Sequence, residues 1–375
     1  MFTPRITDSF LHLRNAFTRM PFRYGSTTLT ACPQAVLRVE IDINGVAQAG
    51  YSADALPPGW FDKRPNIPYR QQIADQTAVI AEARNAFTDS LTGNTSFFEA
   101  WQHAYDHVHA FAKSRDLPAL LASFGHSLVE RALIDALCRA TDQSFHQAVH
   151  DHFLGIDIAS VIPDLASHKP ADWLPETPVE KIHVRHTVGL LDPLTADDIP
   201  EHERLNDGLP QSLEDYVTKS GLRYFKIKVS NRLDHDIDRL KQIVAIVEAT
   251  RANDYTATLD GNEQYGSAAD FEALIETIRA TPELETFWEN VIAIEQPLNR
   301  AIAMDPNHTQ GIRELGAHKP VIIDESDDTL DAYPRAPELG YRGVSSKGCK
   351  GPIKSILNAG LTWLQNDRGR YHDYI

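Results

Sequence analysis

At 375 residues the chain exceeds one ordinary hydrophobic core, so two domains, or one barrel with a smaller companion, is the natural division. A formal charge of −16, with no basic run and no basic-aromatic interleaving, repels phosphate backbones and excludes nucleic acid as a partner. No apolar run approaches the roughly 20 residues of a membrane helix, and the opening FTPRITDSFLHLRNAFTRM has no apolar core ending in a cleavage site, so the expected location is cytoplasmic, with no membrane partner.

Between Arg19 and about Asp62 the pattern is β-like. AVLRVEIDINGVAQAGY alternates apolar and polar residues around Asn44-Gly45, the strongest short hairpin signal. From Pro68 to about Phe153 the period becomes helical: QQIADQTAVIAEARNAF, SFFEAWQHAYDHVHAFAKS and SLVERALIDALCRATDQSFHQAVHDHF each place apolar residues three and four apart. The Pro-rich VIPDLASHKPADWLPETPVE then reads as a crossing segment between domains. Cys32, Cys138 and Cys349 are odd in number, with no C-x-x-C spacing, and are expected to be reduced structural thiols.

Beyond the crossing segment short apolar strands alternate with amphipathic helices, the rhythm of βαβ units and a parallel sheet. The strand candidates are HVRHTVGLL, YFKIKVS, TATLD, VIAIEQPL, PVIIDES and GVSSKG. Helices such as DIDRLKQIVAIVEATRAN and DFEALIETIRATPELETFWENV separate them. In YFKIKVS the side chains alternate, so Lys226 and Lys228 share one face. Like charges side by side cost free energy unless something uses them.

Other strands also end in charge: Asp260 and Asn262, Glu295, Asp324 and Glu325, then Lys347. A βα barrel builds its site at the carboxyl ends of successive strands, so these side chains would meet at one mouth. Carboxylates crowded together repel, and a divalent cation resolves that repulsion. An all-oxygen set suits a hard ion, Mg²⁺ first and Mn²⁺ second.

The ordered series K-x-K, D-x-N, E-Q-P, D-E-S and K resembles the enolase superfamily, nearest to its muconate lactonizing enzyme subgroup, which also holds o-succinylbenzoate synthases and dipeptide epimerases. The resemblance runs from SLVERALIDALCRATDQSFHQ, which looks like that subgroup's cap helix, to KGCKGPIKSILNAG. It implies an N-terminal α+β capping domain, residues 1–175, and a (β/α) barrel, residues 176–375. It further implies that Asp260, Glu295 and Asp324 bind Mg²⁺, with Asn262 and Glu325 supporting them from behind. Lys228 and Lys347 would be the acid/base pair across the substrate, and Lys226 the first lysine of the K-x-K pair.

The implied chemistry is removal of a proton alpha to a carboxylate, with charge gathering as an enediolate beside the metal. A base must be neutral, whereas an ordinary lysine titrates at about 10.4. A neighbouring ammonium disfavours a second charge, which gives Lys226 its place beside Lys228. Racemisation or epimerisation, cycloisomerisation and syn-dehydration of a small carboxylate all stay open. A sugar-acid dehydratase of the mandelate-racemase type is the alternative, although lysine on strand six argues for the lysine subgroup.

The family barrel has eight strands and this sequence reads as about six βα units, an incomplete barrel. Two open sheet edges follow, an aggregation hazard, and a truncated, non-catalytic metal-binding homologue is therefore a second alternative. A homo-oligomer is a further expected arrangement. Two cap loops, RMPFRYGSTT with Phe22 and Tyr24, and SADALPPGWFDKRPN with Trp60 and Phe61, are candidates to close over substrate or simply to pack cap against barrel. His103/His107 and His146/His150 have metal spacing on their helices but no third ligand, and read as solvated helix faces.

Overall fold

The computed structural model describes residues 3–24, 27–369 and 374–375, without the side chains of residues 23, 24 and 27. The N-terminal part opens with a three-stranded antiparallel sheet in the order β1 (Arg5–Arg14), β4 (Gln34–Ile43), β5 (Val46–Ala55), while β2 (Phe17–Tyr24) and β3 (Thr27–Ala31) form a separate hairpin. Burial alternates strictly along β4, one face in the core and one toward solvent. The hairpin read at Asn44-Gly45 is present: Ile43 pairs with Val46, and the two turn residues take φ of 53° and 84°. Two positive φ values in a two-residue loop are what asparagine and glycine tolerate.

Three helices follow: α1 (Tyr69–Ser90), which touches β1, α2 (Phe97–Ser114), which packs on the other two helices, and α3 (Ala119–Thr141), which lies on the sheet. Helix α2 starts at a capping box, Ser96 bonding the Glu99 amide and Glu99 bonding back to Ser96. Helix α3 is apolar nearly all round because it lies between α1, α2 and the sheet. The single helix expected through residue 153 is in fact two. Asp142 ends α3 in the left-handed conformation, φ 53°, and Ser144 caps the short α4 (Phe145–His150).

A parallel five-stranded sheet follows, its strands adjacent in chain order: β6 (Arg185–Val188), β7 (Tyr224–Lys228), β8 (Thr256–Asp260), β9 (Val291–Glu295) and β10 (Val321–Ile322). Helices α5 (Leu213–Lys219), α6 (Leu233–Arg251), α7 (Ala268–Ala280) with α8 (Glu285–Asn290), and α9 (Ile312–His318) make the crossovers. Helices α10 (Ala332–Arg335) and α11 (Pro352–Asp367) follow β10. The expected first strand is shorter than HVRHTVGLL; Ile182 and Val184 ahead of it are exposed. PVIIDES contributes two strand residues, and GVSSKG a bridge in which Ile323 pairs with Val344. Ile375 lies on the far side of that bridge, its amide donating to the Arg342 carbonyl and its carbonyl accepting from Val344. Among the described residues no helix is long and apolar enough to cross a membrane.

Candidate active site

Strand register sets the site. Lys228 on β7 pairs with Asp260 on β8, and Asp260 with Glu295 on β9, so three charged side chains stand level at the carboxyl ends of adjacent strands. One layer deeper, Lys226 is level with Thr187 and Thr258. The outward face of β7 is apolar and buried, with Phe225 and Ile227 each about 1% exposed, so only the inner face can hold the lysines.

The inner layer is densely ionic. Lys226 Nζ lies 2.6 Å from Glu295 Oε1 and 2.9 Å from Asp260 Oδ2, and Lys228 Nζ lies 3.6 Å from the same Asp260 oxygen. Lys347 Nζ donates to Asp324 Oδ2 at 2.5 Å. Asp260, Glu295, Asp324 and Glu325 are each almost fully buried. Burial alone would lower the Lys226 pKa, but the Asp260, Glu295 and Asp324 carboxylates outweigh it and hold the ammonium above its ordinary range. Burial would raise Asp260 and Asp324; nearby ammoniums reverse the sign, Lys226 and Lys228 for Asp260, and Lys350, Lys347 and Lys226 for Asp324. At Glu325 the Lys347 ammonium is outweighed. Burial, then the charges of Asp324, Glu263 and Asp260, push it up to about 7.

Asn262 Nδ2 donates to Glu325 Oε1 at 3.4 Å, while the Asn262 amide donates to Asp260 Oδ1 at 2.7 Å. The backbone here is strained: Asn262, Glu263 and Gln296 have φ of 45°, 67° and 38°. Gly261 has a steric reason, since a Cβ there would fall 2.5 Å from Pro297 Cα. Of the loop residues, Trp60 reaches the site, donating from Nε1 to Glu325 Oε1 at 3.2 Å with its ring 4.6 Å from Lys347 Nζ. Phe22 does not. It lines a separate cavity of about 310 Å³ with Arg19, His186 and Tyr216. The Tyr24 side chain lies outside the described residues. A second cavity, about 510 Å³, is bounded by loop 59–67, Lys228, residues 262–264 and Asn299.

Several side chains went unnoticed in the sequence. Arg185, from the inner face of β6, donates to Thr258 at 3.1 Å and lies 3.3 Å from Glu295 Oε2; its signal was a lone arginine inside an apolar strand. Gln296, fully buried, accepts from the Asp324 and Ser326 amides and donates to Ser326 Oγ and the Leu298 carbonyl, tying the end of β9 to the end of β10. Lys350 donates to the Asp324 and Ser345 carbonyls at 2.6 and 3.0 Å, and Lys354 to the Asp327 carbonyl at 2.7 Å. The spacing of Lys354 and Asn358 marked one face of α11, with Lys350 just ahead of the helix. The histidine pairs sit apart from the site: His107 bonds Glu82, His103 bonds Ser90, and His146 the Pro175 carbonyl.

Asp260, Glu295 and Asp324 fit a hard cation in kind. All are buried oxygen donors, and Asp260 Oδ2 and Asp324 Oδ1 receive no aligned hydrogen bond although ammoniums stand within ion-pair reach. In placement they are held by lysines instead. Among the described residues no three Asp, Glu, His or Cys side chains are gathered around one point as a ligand set, because Lys226 stands between Asp260 and Glu295, and Lys347 and Lys350 grip Asp324.

The fold and site together define an α/β-barrel architecture with an N-terminal α+β cap and a mouth of facing lysines and carboxylates. Solved structures of similar shape carry that architecture further. The L-Ala-D/L-Glu epimerase of Bacillus subtilis matches with a TM-score of 0.60 at 14% identity over 97% of this chain and 80% of its own. A dipeptide epimerase of Enterococcus faecalis, complexed with Mg and a dipeptide, matches at 0.59 and 14% over 96% and 80%. An N-succinyl Arg/Lys racemase of Bacillus cereus matches at 0.59 and 16% over 97% and 77%. At such identities the likeness shows the fold alone: a capped α/β-barrel architecture shared with these enzymes. No protein-family model and no curated protein matches the chain.

Proposed function

We propose that this chain, with residues 1–175 as cap and 176–375 as barrel, abstracts a proton alpha to the carboxylate of a small molecule. The observation that carries the reading is the level row of Lys228, Asp260 and Glu295 on adjacent strands, with Lys347 on Asp324 beyond them. Asp260, Glu295 and Asp324 are the residues that would hold Mg²⁺, and a bound cation would stabilise charge building on the substrate carboxylate. Similar shape to racemases and epimerases, one of them complexed with Mg, supports the reaction class.

Lys226 is held as an ammonium between two carboxylates, which removes it from contention as the base and makes it a fixed positive charge below Lys228. Lys228 lies at the layer above, lines the larger cavity and is the proton acceptor in this reading. Lys347, reached through a different strand, delivers a proton or stands as an electrostatic partner.

The test is solvent exchange of the substrate α-proton in deuterium oxide, followed by proton NMR over a library of carboxylates with Mg²⁺ present. Lys228→Ala is expected to lose exchange by at least a thousandfold. Undiminished exchange in that variant would remove Lys228 from its role.

A further inference from the structure

The cap loop that carries Trp60 is tied to helix α1 through Gln72 and Asp75, and to the strand ends by a buried carboxylate, Glu263, paired with the partly buried Arg300. Arg300 donates from Nε and Nη2 to the two carboxylate oxygens of Glu263, at 2.7 and 2.9 Å, and its backbone amide donates to Glu263 Oε1 at 3.0 Å. The same guanidinium donates to the Trp60 carbonyl at 2.9 Å and the Phe61 carbonyl at 3.4 Å. Lys63, also on the loop, pairs with Glu263. Glu263 takes a left-handed φ of 67° and its side chain is about 1% exposed. Such a conformation costs a non-glycine residue free energy, and here it directs the carboxylate toward both cations. Only a planar guanidinium can chelate a carboxylate and still reach two carbonyls of another segment.

We propose that Glu263 and Arg300 are positioning residues: together they latch loop 59–67 over the cavity that reaches Lys228, and seat the Trp60 indole between Glu325 and Lys347. The connection is direct. Arg300 holds the Trp60 backbone, and the Trp60 side chain touches Glu325 and Lys347. The latch also joins three segments that the sequence keeps far apart, namely the cap loop, the turn after β8 and the turn after β9. Substrate held under this loop would gain binding contacts that are the same in the ground and transition states, so loosening the latch should act on KM rather than on the chemical step. This last consequence rests on the proton-transfer reading; the latch itself does not.

Arg300→Lys keeps the charge but cannot chelate Glu263 and reach both carbonyls. Amide hydrogen exchange of peptides covering residues 59–67 is expected to quicken at least tenfold, with the parallel strands unchanged. In the exchange assay the best carboxylate substrate should show KM raised at least tenfold and the saturated rate within threefold. Glu263→Gln, which retains an acceptor for Arg300, is the second variant and should behave alike. Unchanged loop exchange in both variants overturns the proposal. Faster exchange spread evenly over the whole molecule also overturns it, since the pair would then brace the fold rather than the loop. Wild-type protein that exchanges no carboxylate α-proton refutes the proposed function, while the latch is still decided by the loop peptides.

Discussion

Lys226 shows most plainly how charge is handled in this core. It is 9% exposed on a strand whose other face is apolar, a position that would disfavour an ammonium by several kcal/mol if unpaired. Asp260 and Glu295, each within 3 Å of its nitrogen, make the charge tolerable. The lysine thus stands where a cation bound by those carboxylates would compete with it. Lys226→Met, of similar length and no charge, is therefore expected to bind Mn²⁺ at least tenfold more tightly than the wild type in an electron paramagnetic resonance titration, a difference of about 1.4 kcal/mol or more. Equal or weaker binding would show that Asp260 and Glu295 are not the metal's ligands. The K-x-K pair and the carboxylates were legible in the sequence because strand alternation assigns their face. Their partners were not, because which ammonium meets which carboxylate depends on register between strands distant in the chain. Arg185 and Gln296 were passed over for the same reason: neither has local meaning until β6 is placed near β9, and β9 near β10.

At the scale of elements, helix α11 does more than cover the sheet. Lys354 and Asn358, one turn apart, and Lys350 just before the helix face the segment after β10: Lys354 Nζ is 2.9 Å from Asp327 Oδ1, and Asn358 donates to the same carboxylate at 3.4 and 3.5 Å. Lys354 and Asp327 are both about 2% exposed. Removing the Lys354 ammonium leaves the buried Asp327 carboxylate to the long Asn358 bonds and to Lys350, 3.8 Å away, so Lys354→Met should destabilise the protein by about 3 kcal/mol in urea unfolding. A loss below about 1 kcal/mol would mean that Asn358 and Lys350 suffice to hold that charge. Element identity was largely readable from period, since burial in β4 follows its alternation and burial in α2 follows its helical spacing. Element ends were less so. Asp142 stops α3 through a local backbone conformation that its apolar periodicity does not reveal, and the strands of PVIIDES and GVSSKG shorten because their charged ends turn toward the site instead of continuing the ladder.

At the scale of the molecule, cap and barrel are joined through buried polar groups. Ser127 on α3 donates to the Cys349 carbonyl, and Ser123 to that of Asp328. Glu130, fully buried on the same helix, accepts from the Ile353 amide at the start of α11 at 2.8 Å. Burial raises its pKa from 4.5 to about 7. A carboxyl raised on folding contributes stability that is present below pH 4.5 and lost as pH climbs to about 7; a shift of this size corresponds to about 3 kcal/mol. His126, 3.8 Å away, is lowered by burial to about 3 and acts oppositely, its contribution being lost as pH falls below 6.5. Because His126 is common to both chains, the difference between Glu130→Gln and wild type isolates Glu130. Between pH 4.5 and 8 the variant should gain about 3 kcal/mol relative to wild type in denaturant unfolding, and a constant difference would show that Glu130 is ionised in the folded protein throughout.

The two-part architecture was legible from the change of rhythm near the Pro-rich segment, whereas these cross-domain contacts depend on helices whose polar residues look locally like ordinary interruptions of an apolar face. The proposed function is proton transfer at the mouth of the sheet, and deuterium wash-in at the α-carbon of a carboxylate library, with wild-type protein and Mg²⁺, tests it most directly. At least one carboxylate should exchange its α-proton in a manner that Lys228→Ala abolishes; a library left wholly protonated, or exchange indifferent to Lys228, would contradict it.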